Sequence, residues 1–571
     1  MNNNNNNNNT IPNPLPEITL QETSKNLPAL ILSHYRSIFH AKISTGQAKY
    51  FVLPYSILAP TILPIIYLAI PHKNRPWLYQ ARWAVAALMV GLSVDLLVDG
   101  TSSANVVVAY GTGLVAVWGL IWGLTVLLVL DPQHEAARAV KRRKRTAAAV
   151  GNGNGNGNGN GHVARVKEDK GAAASSAAID ESVARLVQDE YEHYWQYYPA
   201  DGSLLERLGW VMDLSVALKG IGWNFASSAL PHPPPPSPND GPSVNLSQTP
   251  QISRTGSTRH QTISSFLLNR ASHIIITLLV LDLCTLIARR DPYFALGPSY
   301  PPFQLPPYLA SLHPEVLSLA RSLTTFIALL SGLDFYLNLH QLITFFSSTY
   351  LLPASLLNWS APCADELWQY PSPFGPFVLN VLDNGLTGFW GGFWHQTFRI
   401  GFTAPVTFLT QRGYFEQKMT RQILTLASAF TLSACIHAAG AWTCVPEQTR
   451  IYAPFVFFGF SFIGILAEQT LWGYLKSWRC EPPPTWSRRV GNLVWVTGWL
   501  HFTGRWTFID DLCSAGLFLF EPMPISPLRW LGVMDSGLEG DDGKWWRWDE
   551  EYRGRWVSGL EGRWWEGGLR L

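Results

Sequence analysis

Apolar positions in this chain gather in long runs rather than in short amphipathic periods. The runs at 51–70 and 105–130 contain no Asp, Glu, Lys or Arg. Each is long enough to cross the ~30 Å hydrocarbon core of a bilayer as a helix. A third run, 83–98, is weaker because it carries Asp95, and others follow at 271–288, 323–351, 423–443, 454–474 and 490–502. The pattern predicts roughly eight spans, rising by one or two if 210–230 or 389–409 enters the bilayer. Buried helices of a soluble protein do not account for the two charge-free runs. The expected fold class is all-α, a polytopic integral membrane protein.

Polar segments set the expected boundaries: an N-terminal low-complexity part (1–50), the first membrane helices (51–130), an insert (131–203), a main helical domain (204–511) and a Trp-rich tail (512–571). The insert holds "KRRKR" at 141–145 and "GNGNGNGNGNG" at 151–161, and a Pro-rich linker interrupts the main domain at 231–262. Gly-Asn repeats cannot build a core and read as linker. A basic cluster beside a span marks the cytosolic face. Alternation from there makes cytosolic the loop with Lys73, Arg75 and Arg82, the segment around His395, and Arg488–Arg489. Lys42 and Lys49 pull against that orientation.

Composition narrows the classes further. Charged residues are 14% of the chain, against ~25% in ordinary soluble proteins, whereas Trp and Phe number 25 and 28. The net charge of +2 gives no reason to expect a nucleic-acid partner. Six cysteines without CxxC pairs or metal-ligand spacing predict neither a disulfide framework nor a metal site. Asn2–Asn9 is not a signal-peptide core. HExxH, P-loop, GxSxG and strand-following GxGxxG motifs are all missing from the sequence, which removes metalloprotease, NTPase and α/β-hydrolase readings. No repeat points to a solenoid, and no matching halves point to a secondary transporter.

Two histidines carry the candidate chemistry. His395 sits in "FWGGFWHQTFRIGF" (389–402), six aromatic rings around one His and one Arg. If this stretch is helical, Arg399 lies one turn on at i+4 and its charge keeps His395 neutral. An interfacial aromatic belt with a bystander His explains the same stretch. His437 lies inside the apolar run "LTLASAFTLSACIHAAGAWTC", where an ionisable group is costly and usually functional. Ser433, Ala434, Gly440 and Ala441 surround it at helical spacing. They fit close helix packing, and equally space for a substrate chain. Cys435 points to nearly the opposite side of that helix, which disfavours a Cys–His dyad. Ser433 shares the His437 face and suits an orienting hydrogen bond. Glu468, a carboxylate within a span, needs a partner: a neighbouring His or a helix–helix hydrogen bond. Asp282, Asp334, His340 and His501 read as structural or interfacial.

With these residues in hand, "FWGGFWHQTFR" (389–399) followed by "LSACIHAAG" (432–440) resembles the wax synthase-like branch of the membrane-bound O-acyltransferases, fungal members in particular. "WVMDLSVALKGIGWNF" (210–225), "YPSPFGPF" (370–377), Glu468 and "RRVGNLVWVTGWLHF" (488–502) are similar to the family's flanking segments, so the likeness runs over about 204–511. Lys219 stands where Arg is usual, "NGLTGFW" replaces S-L-x-x-F-W, and Ala438 follows His437 where many relatives carry Glu.

The resemblance implies acyl transfer from an acyl-CoA co-substrate to the hydroxyl of a lipophilic alcohol, in a membrane-embedded helical domain with a tunnel to the active site. It assigns His437 as base and His395 to the thioester. Trp394, Gln396, Arg399, Ser433 and Glu468 are the expected substrate and acyl-CoA contacts, with Arg399 available to CoA phosphate. His395 or Gln396 would donate to the developing oxyanion, where one donor is worth about 2.7–4 kcal/mol. No tightly bound cofactor or metal is expected, and the location implied is the endoplasmic reticulum, among membrane lipid. Fungal relatives acetylate terpenoids or other secondary metabolites; the plant-type name implies long-chain wax esters. A proton-coupled transporter would use the same buried His and Glu, and a non-catalytic scaffold would tolerate loss of both histidines.

Overall fold

The computed structural model describes residues 27–143, 191–236, 243–299, 305–445, 449–477, 483–532, 545–548, 555–557 and 568–570. The Gly-Asn tract and about half of the Trp-rich tail lie outside these residues.

Helices dominate. In chain order the principal ones are α1 (Leu27–Ser44), α2 (Arg82–Val98), α3 (Val106–Leu128), α4 (Leu204–Val216), α5 (Ile263–Arg290), α6 (Pro314–Phe346), α7 (Arg399–Gln411), α8 (Lys418–Thr443), α9 (Ala453–Ser477) and α10 (Thr485–Gly504). Local chemistry sets several starts. The Asn105 side chain accepts from the amides of Val107 and Val108 at the head of α3, and Ser203 and Glu206 form a reciprocal capping box on α4. The Thr262 side chain accepts from the amide of Ser265 at the head of α5, and Arg289 and Arg290 close it where cations complement the helix dipole.

Among the described residues six helices are long and apolar enough to cross a membrane: Pro76–Val98, Val106–Leu128, Ile263–Arg290, Pro314–Leu351, Lys418–Thr443 and Ala453–Ser477. This is a polytopic helical membrane protein, with two differences from the expected eight spans. The run at 51–70 does not form one helix. Pro54, Pro60 and Pro64 each remove an amide donor, and the chain breaks into a 3-10 turn (Tyr55–Ile57), a π turn (Leu58–Ile62) and a short α-helix (Leu63–Leu68). At 1.5 Å per residue, 55–68 reaches about 21 Å, too short for the ~30 Å core. The eighth run forms α10, which has the length but carries Ser487, Arg488 and Arg489 near its start and is more polar than the six.

α5 packs along α6, while α8 lies between α3, α7 and α9. A chain segment at 378–393 wedges between the groups, touching α10 and α9. Its core gathers Leu386, Phe389, Phe393, Phe430, Phe457 and Phe458, all buried. The described part of the insert forms an antiparallel ribbon, β1 (Ala137–Arg143) with β2 (Tyr191–Tyr197), in register from Ala137 opposite Tyr197 to Arg143 opposite Tyr191. Ala137, Ala139 and Trp195 bury one side of it against Cys363 and Trp368. The five described cysteines are free thiols.

Candidate active site

α8 carries His437 six residues before its end, about 9 Å in from the helix terminus. A 2.9 Å hydrogen bond joins His437 Nδ1 to Tyr110 Oη on α3. The imidazole stacks on Phe458 of α9 at 5.3 Å and 24°, and Phe508 meets it edge-on at 5.3 Å. The small residues after His437 have a definite occupant. A Cβ on Gly440 would stand 2.9 Å from Cζ of Tyr110, and Gly113 of α3 lies against the Ala439 carbonyl. Close packing of α3 therefore fills the space beside Gly440 that the sequence left open to a substrate chain.

The segment around His395 is not one helix. A π turn, Phe389–Phe393, ends at Trp394, whose ψ of 145° is extended, and α7 begins only at Arg399. The i+4 placement of Arg399 over His395 is thereby lost. Arg399 instead donates to Gly391 O at 3.0 Å and to Gln396 Oε1 at 2.6 Å. Gln396, itself buried, donates from Nε2 to Trp394 O. Both side chains thus hold the turn that presents His395. The glycines before it are also accounted for: Asn380 packs against Gly392 and Gly388, positions no Cβ could share, and donates to Thr255 O at 2.9 Å and Pro376 O at 3.0 Å. Gly391 has open space. Single π turns of this kind collect at functional sites, and another follows α10 at Arg505–Ile509, carrying Phe508 to His437.

Glu468 supports the same segment from behind. Its two oxygens accept from the amides of Leu386 (2.8 Å) and Thr387 (3.0 Å), beside Gly385 at φ +60°. A Cβ at Gly385 would stand 2.5 Å from Glu468 Oε2. The buried carboxylate is directed at the main chain and not at either histidine. Ser433 lies one turn before His437 on α8, and Trp394 touches Phe326 of α6, Phe374 and Phe389.

A continuous aromatic wall connects the two histidines. His395 contacts Trp394 at 5.4 Å, Trp394 contacts Trp390 at 5.9 Å, Trp390 contacts Phe458 at 6.0 Å, and Phe458 stacks on His437. α3 runs along the same space. Tyr110 reaches His437, and Trp118, eight residues and about 12 Å further, packs at 4.3 Å on Phe398 beside His395. Ser428 Oγ on α8 donates to Phe402 O at 2.8 Å, tying α7 to the helix of His437. His395 Nδ1 is buried without a hydrogen-bond partner, as are Trp390 Nε1 and Thr397 Oγ1. An apolar wall with two imidazoles and unpaired polar atoms is equipped to bind a polar reacting group in dry surroundings.

Cations stand behind His395: Lys219 and Arg254 outside the spanning helices and Arg270 near the start of α5. The loop after α4 turns at Gly220 (φ +66°), where a Cβ would touch Ala226 and Ile400, so Lys219 is brought to the start of α7. Lys219 has no carboxylate partner among the described residues; burial, then Arg270, lower its ammonium to about 8. Arg270 is buried, donating to Asn338 Oδ1 at 3.2 Å and Tyr370 O at 3.0 Å. Arg254 lies near Arg399 and lines a surface hollow of about 340 Å³ with His232, Gln248 and Ser253.

Sequence reasoning missed Tyr110 and Asn380. A tyrosine in a run free of charge was a usable signal, since its hydroxyl needs a partner when buried. Three of the four residues read as structural or interfacial are bonded within the fold: His501 Nδ1 meets Ser322 Oγ at 2.9 Å, Asp282 accepts from Ser526 and Leu528, and Asp334 pairs with His273 at 2.7 Å. One group of metal-ligand type lies apart from the wall. His193 Nε2, Cys363 Sγ and a Glu366 oxygen fall within 4.8 Å of one another. Glu366 already pairs with His193 at 2.8 Å, accepts from Trp368 Nε1 and has the Lys141 ammonium at 3.8 Å, while Lys141 also bonds Asp365. The group is an ion-pair cluster closed by its own donors.

An intramembrane histidine and a second histidine turn thus lie along one aromatic wall of a membrane-embedded helical domain. Residues 370–460, which hold both histidines, match the profile of the Membrane bound O-acyl transferase family. It is also similar to Acetyltransferase atnC from Arthrinium sp, 24% identical over 320 residues that cover 54% of this chain. The chain spans 63% of the length of that relative. No solved structure matches it.

Proposed function

We propose that the protein is a membrane-embedded O-acyltransferase that moves an acyl group from acyl-CoA to the hydroxyl of a lipophilic alcohol, in the endoplasmic reticulum. The reading rests above all on one observation: His437, inside a spanning helix and bonded to Tyr110, shares an aromatic wall with the unpaired Nδ1 of His395. His437 Nε2 takes the proton of the acceptor hydroxyl as its oxygen attacks the thioester carbonyl. The C–O bond forms, the C–S bond breaks, and the proton passes to the departing thiolate, giving free CoA thiol. His395, with Nδ1 protonated, donates to the thioester oxygen as negative charge develops there. The aromatic wall keeps water from hydrolysing the thioester.

Lys219, Arg270 and Arg254 support a donor with phosphates, for which clustered cations are the natural partner. In this reading Arg399 and Gln396 act on substrate through the turn they hold. The name of the similar acetyltransferase favours acetyl as the acyl group, and the acceptor we propose is a secondary-metabolite alcohol such as a terpenoid. Long-chain wax ester synthesis is the competing assignment for the same site.

Membranes carrying the wild-type chain, given radiolabelled acetyl-CoA or palmitoyl-CoA with a panel of terpenoid, sterol and fatty alcohols, test the proposal. Labelled ester from acetyl-CoA is expected. Ester from palmitoyl-CoA and fatty alcohol alone would replace the acetyl assignment with the wax assignment. Proton uptake driven by a solute gradient, with no ester from any pair, would overturn the enzyme reading in favour of a transporter.

A further inference from the structure

The bond between Tyr110 and His437 joins residues 327 positions apart, and several contacts between the two helices hold it in place. Gly440 leaves room for the Tyr110 ring, and Gly113 brings the α3 backbone onto Ala439. Thr443 locks the register: its Oγ1 donates to Ala109 O at 2.7 Å and accepts from Gly113 N at 3.1 Å. Ser102 Oγ then donates to Thr443 O at 2.5 Å. Two helices held at backbone contact on either side of one phenol leave its hydroxyl little freedom. Packing alone asks for no hydroxyl here, because a Phe would fill the same space in an apolar wall.

We propose that Tyr110 is a positioning residue for His437: its hydroxyl bonds Nδ1 and fixes the ring so that Nε2 is the nitrogen left for the reacting hydroxyl, and its oxygen accepts from Nδ1–H in the tautomer that acts as base. The inference rests on the acyl-transfer reading above, and adds the group that makes His437 a base at one defined nitrogen. The phenol can donate to Nδ1 or accept from it, and only as acceptor does it leave Nε2 free to take a proton. When Nε2 takes the alcohol proton, the imidazolium that forms keeps Nδ1–H on the Tyr110 oxygen, so its charge does not stand unpaired in dry surroundings. Delivery of that proton to the thiolate restores the starting state. Stacking on Phe458 fixes the ring plane, and Tyr110 fixes the rotation within it.

The test compares wild type, Tyr110→Phe and His437→Ala in native membranes, with kcat and KM measured across pH. A second readout needs no turnover: the rate of His437 carbethoxylation by diethylpyrocarbonate, followed by peptide mass spectrometry. Tyr110→Phe is expected to lower kcat about tenfold, leave both KM values within about twofold and shift the pH at half-maximal kcat. His437 should be carbethoxylated several times faster, since Nδ1 is released. Gly440→Ala tests the same contact from the other helix, because the added methyl displaces the Tyr110 ring, and should reproduce both changes. Wild-type kcat, pH profile and carbethoxylation rate in Tyr110→Phe would overturn the inference and leave the acyl-transfer reading standing. Full activity in His437→Ala would instead overturn that reading, and the carbethoxylation rates would still decide whether the bond holds His437.

Discussion

The two histidine neighbourhoods are built in opposite ways. His437 stands on an uninterrupted helix, and its orientation comes from side chains: the Tyr110 hydroxyl and the Phe458 and Phe508 rings. His395 stands on a break between a π turn and a helix, and its orientation comes from main-chain pins: Gln396, Arg399, Asn380 and, at one remove, Glu468. A base that must present one nitrogen profits from a fixed partner at its second. A group that meets a changing carbonyl profits from an open nitrogen on a rigid turn. The contrast teaches that rigidity at this site is supplied twice, by different means, and that the two means fail differently.

The largest expected effect follows removal of the base. His437→Ala should lower kcat by about 10²–10⁴ while KM for acyl-CoA changes little, read as ester formed at matched protein abundance. Next comes the support of the other neighbourhood. Glu468→Ala strands two buried amides, at about 1–3 kcal/mol each, so detergent-extracted protein should melt at a clearly lower temperature. Glu468→Gln, which keeps one acceptor, should fall between. If Glu468→Ala melted like wild type, the main-chain support of the His395 side would be wrong. His395→Ala should cost about 10² in kcat with little change in melting temperature, as loss of one oxyanion donor does. A variant that melted early instead would make His395 part of the support.

The smallest effect separates donor binding from chemistry. Lys219 is a cation at pH 7 and loses its proton as pH rises through about 8, so attraction for an anionic donor weakens above that value. KM for acyl-CoA should therefore climb between pH 7 and 9, with kcat little affected. Lys219→Arg should flatten the climb, and Lys219→Gln should raise KM about tenfold at pH 7. Equal KM in Lys219→Gln and wild type would place the donor phosphates elsewhere.

Much of this architecture was legible in the sequence. Long apolar runs announced the spanning helices because bilayer thickness imposes a length that no other constraint mimics. The run at 51–70 misled because mean hydropathy does not register Pro54, Pro60 and Pro64, which divide it. His437 stood out because an ionisable residue in a span is costly. Its partner did not, because pairing of α3 with α8 depends on Gly113 meeting Ala439, a contact between segments with no shared pattern. Arg399 and Gln396 look alike in sequence whether they touch ligand or main chain. Only the break at Trp394, which turns both inward, distinguishes the two. Glu468 has a partner, as its burial required, but that partner is backbone, which carries no signature in side-chain identity.

The central claim is that His437 drives transfer of an acyl group from CoA to an alcohol without a covalent acyl-enzyme. The most direct measurement counts free CoA thiol and ester together in wild-type and His437→Ala membranes, with and without alcohol. The account predicts one thiol per ester in wild type, almost no thiol when alcohol is withheld, and loss of both products in His437→Ala at unchanged abundance. Undiminished ester in His437→Ala, or a burst of thiol from wild type before any alcohol is added, would contradict it.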